Sequence, residues 1–261
     1  MSSEFGKLLK VSVFGQSHGK AIGVNIDGLP AGEAIDLEAL NAFLDRRKTG
    51  KNALSTQRKE ADLPIFLSGL ENGVTCGSPM CVIIENSDQH SSDYRNLADH
   101  PRPSHADYTA YMKYHGYEDY RGGGHFSGRL TGPLVFAGAL AKQLLAQRGI
   151  AVESRIDLLG GVENPTEEQI RDIILAAKAD HDSVGGAVQC VISGVPAGFG
   201  APDLGENAEG IFAKHLFAVP GIKGIEFGAG FALADMRGSQ ANDPFAVADG
   251  KIVTETNSSG G

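Results

Sequence analysis

Thirty-five of the 261 residues are glycine, about twice the usual share, and no Gly-X-Y period orders them. Glycine weakens helix and strand interiors, so an aperiodic excess belongs to turns, loops and places where backbone is approached closely. The chain is therefore expected to be loop-rich, with short regular elements around a core. Its 41% hydrophobic and 21% charged residues are ordinary for a folded protein of this length.

Two histidines stand inside such loops. His18 lies in Phe14-Gly-Gln-Ser-His-Gly19, and His105 in Arg102-Pro-Ser-His-Ala-Asp107, followed by the triple glycine of Arg121-Gly-Gly-Gly124. Histidine exchanges protons near neutral pH, and a glycine turn admits an anion, so the set reads as acid–base chemistry on a bound small molecule. Ser17 and Asp107 are each placed to fix the tautomer or orientation of the adjacent ring. The other six histidines are assigned to surfaces and loops.

The net charge of −9 argues against a nucleic-acid partner. Cations nevertheless cluster along Arg46-Arg47-Lys48-Thr49-Gly50-Lys51 and Arg58-Lys59. Helix-dipole complementation explains the first two, and phosphate or carboxylate binding is weighed evenly against solvated charge for the run. The loop Arg121–Arg129, with arginine at both ends, is read as a backbone cradle for phosphate, although it matches neither the P-loop nor the Rossmann pattern. Metal-ligand spacings are lacking, so no metal is expected. Cys76, Cys81 and Cys190 fit reduced thiols in the cytoplasm. The N-terminus lacks a signal peptide's apolar core, and no apolar run is long enough to span a bilayer.

Periodicity predicts strands at Leu8–Phe14, Ala21–Asp27, Met80–Glu85 and Ala187–Ser193. Helices are expected from Leu37, capped by Asp36, to about Arg47, from Pro133 to about Arg148, from a Thr166–Gln169 capping box to about Ala179, and from Glu206 to Phe217. The stretch from Asn86 to Arg121 has weak periodicity and reads as a long functional loop. Gly23–Gly32 (GVNIDGLPAG) echoes Gln189–Gly198 (QCVISGVPAG), which hints at two related halves. The sequence ends at Thr256-Asn-Ser-Ser-Gly-Gly261, inside another apparent glycine loop, so the second half is expected to be incomplete.

Together FGQSHG (14–19), IDGLPAG (26–32), the RRKTGK run, STQRKEAD (55–62), RPSHADY (102–108), RGGG (121–124), SGVPAGFG (193–200) and VPGIKGIEFGAGF (219–231) resemble chorismate synthase, in that family's order. The resemblance implies an anti-1,4-elimination of phosphate from 5-enolpyruvylshikimate 3-phosphate, giving chorismate, with reduced FMN required and no net redox change. It gives His18 the protonation of the departing phosphate, and His105 the stabilisation or protonation of the reduced flavin. Arg47, Arg121, His125, Phe126, Ser127, Gly128, Arg129, Pro220 and Gly221 would hold the flavin; Ser17, Arg47 and Arg129 would contact substrate. Arg47 also matches a position linked to NADPH in members that reduce their own flavin.

The fold implied is α+β, one domain over residues 1–261: a β-α-β sandwich of two antiparallel sheets enclosing helices, with an internal pseudo-twofold repeat, in a cytoplasmic homotetramer. Three departures stand out. The family run RGGGRSSARETAxR is here RGGGHFSGRLTGPL, with His125 and Leu134 in place of arginines; Lys48-Thr49 replaces a frequent Arg-Pro; and the family's final portion, with a catalytic aspartate, is missing. The rival expectation is an inactive fragment serving only as a binding or oligomerisation partner. A flavin reductase is the weakest alternative.

Overall fold

A computed structural model describes residues 3–48, 62–87, 100–203 and 205–260, which fall into two compact units, 1–195 and 196–261. The organising element of the first unit is a five-stranded sheet in the order β1-β2-β3-β7-β4, with every neighbouring pair antiparallel. Its strands are β1 (Glu4–Phe5), β2 (Lys10–Gly15), β3 (Ala21–Asp27), β4 (Pro64–Ser68) and β7 (Met80–Glu85). Between β4 and β7 runs the small hairpin β5 (Leu70–Glu71) and β6 (Val74–Thr75).

Alternation along the strands decides which face is buried. Register places Val13, Val24 and Val82 in one row across β2, β3 and β7, and Val11, Ile26 and Met80 in the next; all six are buried. Two helices cover that face: α1 (Leu37–Asp45), through Leu40 and Leu44, and α3 (Thr131–Ala146), through Phe136, Ala139 and Leu140. Phe66 of β4 meets Phe136 edge to face at 5.6 Å. Burying each such side chain contributes about 1.5–3 kcal/mol, so these rows and helices hold the site's framework in place.

Asp36 caps α1 as expected, accepting from the Ala39 N–H at 2.9 Å. Helix α3 begins two residues before Pro133, because a Ser127-capped turn of 3-10 helix (Gly128–Leu130) leads straight into it. Proline is tolerated there, since the first-turn N–H groups lack intrahelical partners. The expected long loop contains α2 (Asp107–Tyr114), whose periodicity is weak because Ala110 is its one buried residue.

The unit continues with a second antiparallel sheet, β10-β8-β9, built from β8 (Ala151–Leu159), β9 (Val162–Glu163) and β10 (Gly186–Ser193). Helix α4 (Glu167–Ala179) joins it, opened by the full Thr166–Gln169 capping box. The second unit holds α5 (Ala208–Leu216), capped by Asn207, a 3-10 segment at Gly230–Asp235, the short α6 (Gly238–Ala241) and the hairpin β11 (Phe245–Ala248) with β12 (Lys251–Thr254). The sequence echo has a backbone counterpart: Gly28 and Gly194 both take positive φ, 86° and 78°, directly after β3 and β10. The architecture is thus mixed α+β with several antiparallel sheets. Among the described residues no helix is long and apolar enough to cross a membrane.

Candidate active site

The strand β2 ends at Gly15, and the turn that follows is closed by Gly19 N–H donating to the Gln16 carbonyl at 3.0 Å. Ser17 and His18 ride on that turn and are both buried. The Ser17 N–H donates to the Gly124 carbonyl at 3.1 Å, which ties the first histidine loop to the triple glycine. The Ser17 hydroxyl donates towards the carbonyls of Arg121 and Gly122, at 3.2 and 3.3 Å, and lies 3.0 Å from His18 Nδ1. With its single proton committed to a carbonyl, the hydroxyl accepts from Nδ1–H. Nε2 is then the ring nitrogen of His18 that is turned away from Ser17.

The triple glycine serves the histidines more than it cradles an anion. Gly122 and Gly123 take φ of 57° and 83°, in the left-handed region. A Cβ on Gly122 would fall 2.5 Å from His18 Nδ1, and one on Gly123 would fall 2.5 Å from His105 Cε1. Each glycine is bare so that one imidazole can lie against it. Two loop N–H groups are used internally: Gly123 donates to the Tyr120 carbonyl at 3.1 Å, and Arg121 to Asp119 Oδ1 at 3.2 Å. The phosphate cradle expected from the glycine pattern is thus partly occupied by the protein's own contacts.

Each side of this wedge carries an arginine–carboxylate pair. Arg121 grips Asp119 through Nε to Oδ1 at 2.7 Å and Nη2 to Oδ2 at 2.9 Å. Burial pushes the Asp119 carboxyl up, but the Arg121 hydrogen bonds, its charge and that of His18 outweigh this and leave it lowered. The same pairing raises Arg121, mainly through the hydrogen bonds to Asp119. Arg102 grips Asp107, whose carboxyl is lowered to about 2, chiefly by the Arg102 side-chain hydrogen bonds. Asp107 Oδ1 also lies 2.6 Å from His105 Nδ1. Arg102 was noted in the sequence only as a neighbour of His105, and Asp119 was not singled out. Their signal was proximity: one stands three residues before a candidate histidine, the other two before a candidate arginine.

The remaining candidates divide. His125 has both ring nitrogens engaged, Nδ1–H donating to the Gly15 carbonyl at 2.9 Å and Nε2 lying 2.6 Å from Ser3 Oγ. Phe126 stands 6.3 Å from the Tyr114 ring, beside a cleft of about 750 Å³ lined by Ser12, Phe14, Gln16, Tyr114 and His125. Ser127 accepts the Arg129 N–H at 3.3 Å, and the Gly128 carbonyl accepts from Thr131 Oγ1 at 2.6 Å. Arg129 is buried, with Nε donating to Asn86 Oδ1 at 3.1 Å, Nη2 to the Glu85 carbonyl at 3.3 Å and Nη1 to Asp62.

Arg47 donates to the other Asp62 oxygen at 2.6 Å and to Thr131 Oγ1 at 3.3 Å. One buried carboxylate thus holds both guanidiniums that the sequence pattern offered to ligand phosphate. Lys48 pairs with Asp45 at 2.5 Å, while Thr49–Lys51, Arg58 and Lys59 lie outside the described residues. Pro220 and Gly221 lie in the second unit, in the turn after α5. Among the described residues no cluster of three or more His, Cys, Asp or Glu is arranged to hold a metal ion.

The donor set suits a flavin. Phe14, Tyr114 and Phe126 give the cleft aromatic walls, and Arg102, Arg121 and the two imidazoles lie around the same glycine wedge.

Comparison with known proteins shows the family. The family profile described as Chorismate synthase matches residues 9–261. A chorismate synthase of Thermococcus kodakarensis is 50% identical over 98% of this chain and 77% of its own length. One of Chitinophaga pinensis is 49% identical over 99% of this chain and 75% of its own. A crystal structure of chorismate synthase superposes with a TM-score of 0.78 at 26% identity, covering 97% of this chain and 79% of that one. By profile, sequence identity and α+β architecture alike, the chain belongs to the chorismate synthase family.

Proposed function

We propose that this chain acts on 5-enolpyruvylshikimate 3-phosphate, eliminating phosphate across four carbons to give chorismate, with reduced FMN as the required cofactor. The observation that carries the reading is the pair of imidazoles set against adjacent glycines of one loop, each with its own fixed partner at Nδ1. His18 delivers a proton from Nε2 to the departing phosphate, because phosphate leaves more readily once its charge is neutralised. His105 stabilises or protonates the reduced flavin. Reduced FMN, when bound, supplies the electron density that loss of phosphate requires, with no net redox change.

The chain's own groups orient, neutralise and exclude water. Arg102, on the His105 loop, and Arg121, at the head of the glycine wedge, are the cations we assign to the ligands' anionic groups. Arg47 and Arg129 act from behind, as a guanidinium pair shaped by Asp62; the flavin and substrate roles implied for Arg47, Arg129, Ser17, His125, Ser127, Gly128, Pro220 and Gly221 remain part of this proposal. NADPH is the proposed reductant where the flavin is reduced on the enzyme. We further propose a single domain over 1–261 of β-α-β sandwich type with a pseudo-twofold repeat, working in the cytoplasm as a homotetramer. The matching φ at Gly28 and Gly194 supports the repeat.

The test is conversion of 5-enolpyruvylshikimate 3-phosphate under anaerobic conditions. Chorismate should form with reduced FMN and not with oxidised FMN. Absence of product with reduced FMN bound would overturn the assignment. A second reading, a partner lacking catalysis, draws on β10, which is exposed along its whole length. It predicts flavin-independent association and no chorismate.

A further inference from the structure

We propose that Asp107 is a positioning residue: it takes the Nδ1 proton of His105, leaving Nε2 as the one atom at which this imidazole exchanges a proton with a ligand. Arg102 holds Asp107 in place for that purpose. This deepens the reading of His105 as a proton-exchanging group and rests on it.

The argument starts from the carboxylate. Asp107 is the first residue of α2, and its side chain is 6% exposed, against 26% for His105. The carboxylate is thus the inner partner and the ring the outer one. Its Oδ2 accepts from the Arg102 backbone N–H at 3.0 Å and from Nε at 2.8 Å; its Oδ1 accepts from Nη2 at 2.9 Å. Three donors from one residue fix the carboxylate in position and plane.

Oδ1 also lies 2.6 Å from His105 Nδ1. An unprotonated Nδ1 at that distance would set lone pair against lone pair, so Nδ1 carries the hydrogen. The strongly lowered Asp107 carboxyl stays ionised near neutral pH and does not supply that proton itself.

Arg102 Nη2, already donating to Oδ1, lies 3.2 Å from His105 Nδ1 and 3.4 Å from Nε2, so it selects neither nitrogen and the contact with Asp107 sets the tautomer. Gly123 packs against the Cε1–Nε2 edge, and a ring flip would replace the 2.6 Å Nδ1–Asp107 contact by carbon. The charged groups around this ring are Arg102 and Asp107 from its own loop and helix. Across the glycine wedge stand His18 and the Arg121–Asp119 pair. Among the described residues, Asp107 is the carboxylate paired with His105.

The experiment is ring-nitrogen NMR on the full 261-residue chain with 15N-labelled histidine, in mildly alkaline buffer without ligands. His105 is assigned by the signal lost in His105→Gln. In the parent, His105 should show a protonated Nδ1 and a bare Nε2. In Asp107→Asn the carboxamide no longer attracts a proton by charge, and the preference should fall by about tenfold, towards the Nε2–H form that free side chains favour. Turnover by Asp107→Asn should drop in kcat with KM little changed.

A protonated Nε2 and bare Nδ1 in the parent would overturn the proposal, as would an unaltered Nδ1–H form in a folded Asp107→Asn. If that variant does not fold, the parent spectrum still decides. Full turnover by His105→Gln would sink the catalytic reading while leaving the tautomer result standing, so the two failures are distinguishable.

Discussion

Replacing Gly122 by alanine tests the claim that the triple glycine is a spacer for the histidines. The new Cβ would lie 2.5 Å from His18 Nδ1 and 2.9 Å from Ser17 Oγ. Ordinary contact needs roughly 3.5 Å, so the imidazole must retreat by about 1 Å or the loop must shift by as much. Residue 122 sits at φ 57°, ψ 19°, where alanine costs about 1–2 kcal/mol. Overpacking adds about 1–3 kcal/mol. A catalytic group misplaced by that distance costs on the order of 10²-fold in rate. Gly122→Ala is therefore expected to lose about 10²-fold in kcat/KM for the enolpyruvyl substrate while still unfolding cooperatively. Gly138→Ala serves as the control, since Gly138 lies inside α3 with open space where its Cβ would go. It should keep full activity and gain about 0.5–1 kcal/mol, because alanine suits a helix interior better. A folded Gly122→Ala with activity within a few-fold of the parent would refute the spacer argument.

Three further outcomes follow from the same geometry. Asp62→Ala leaves the buried Arg129 and the half-buried Arg47 without their shared carboxylate, and should cost about 3–5 kcal/mol by denaturant unfolding. Phe136→Ala, at 0% exposure between sheet and helices, should cost about 3–5 kcal/mol through the cavity it leaves. Asp107 has its carboxyl lowered from the ordinary 3.8 to about 2 by Arg102. Its contribution to stability is thus fully present above about pH 4 and is lost as the pH falls through 2. Acid titration of unfolding should show that loss diminished in Asp107→Asn.

The regular framework was legible because it obeys local rules. β3 and β7 occupy the predicted Ala21–Asp27 and Met80–Glu85, since alternating Val and Ile on the buried face leave little ambiguity. Asp36 and Thr166 announced two helices by their capping chemistry, while the Asn207 cap of the helix expected from Glu206 emerged only from the structure. α2 escaped notice because Tyr108, Tyr111 and Met112 are exposed and supply no apolar stripe. β8 was missed in a strand that is solvent-exposed over much of its length.

In the site, His18 was found from its glycine and serine neighbours and His105 from its Arg-Pro and Asp neighbours, but their shared wedge was not. Nothing in Arg121-Gly-Gly-Gly124 says that Gly122 faces one ring and Gly123 the other; that depends on the long-range bond from Ser17 N–H to the Gly124 carbonyl. Arg47 and Arg129 looked like ligand cations because charge is visible in a sequence, whereas their partner is not. Asp62 is separated from them by 15 and 67 residues, and only the fold brings the three together.

The most direct test of the account is anaerobic phosphate release from 5-enolpyruvylshikimate 3-phosphate with reduced FMN, comparing the parent chain with His18→Ala and His105→Ala. The account predicts release by the parent and its loss by about 10²-fold or more in each variant, with both variants folded. Release undiminished in either variant would contradict the assignment of proton chemistry to that histidine, and release undiminished in both would contradict the site itself.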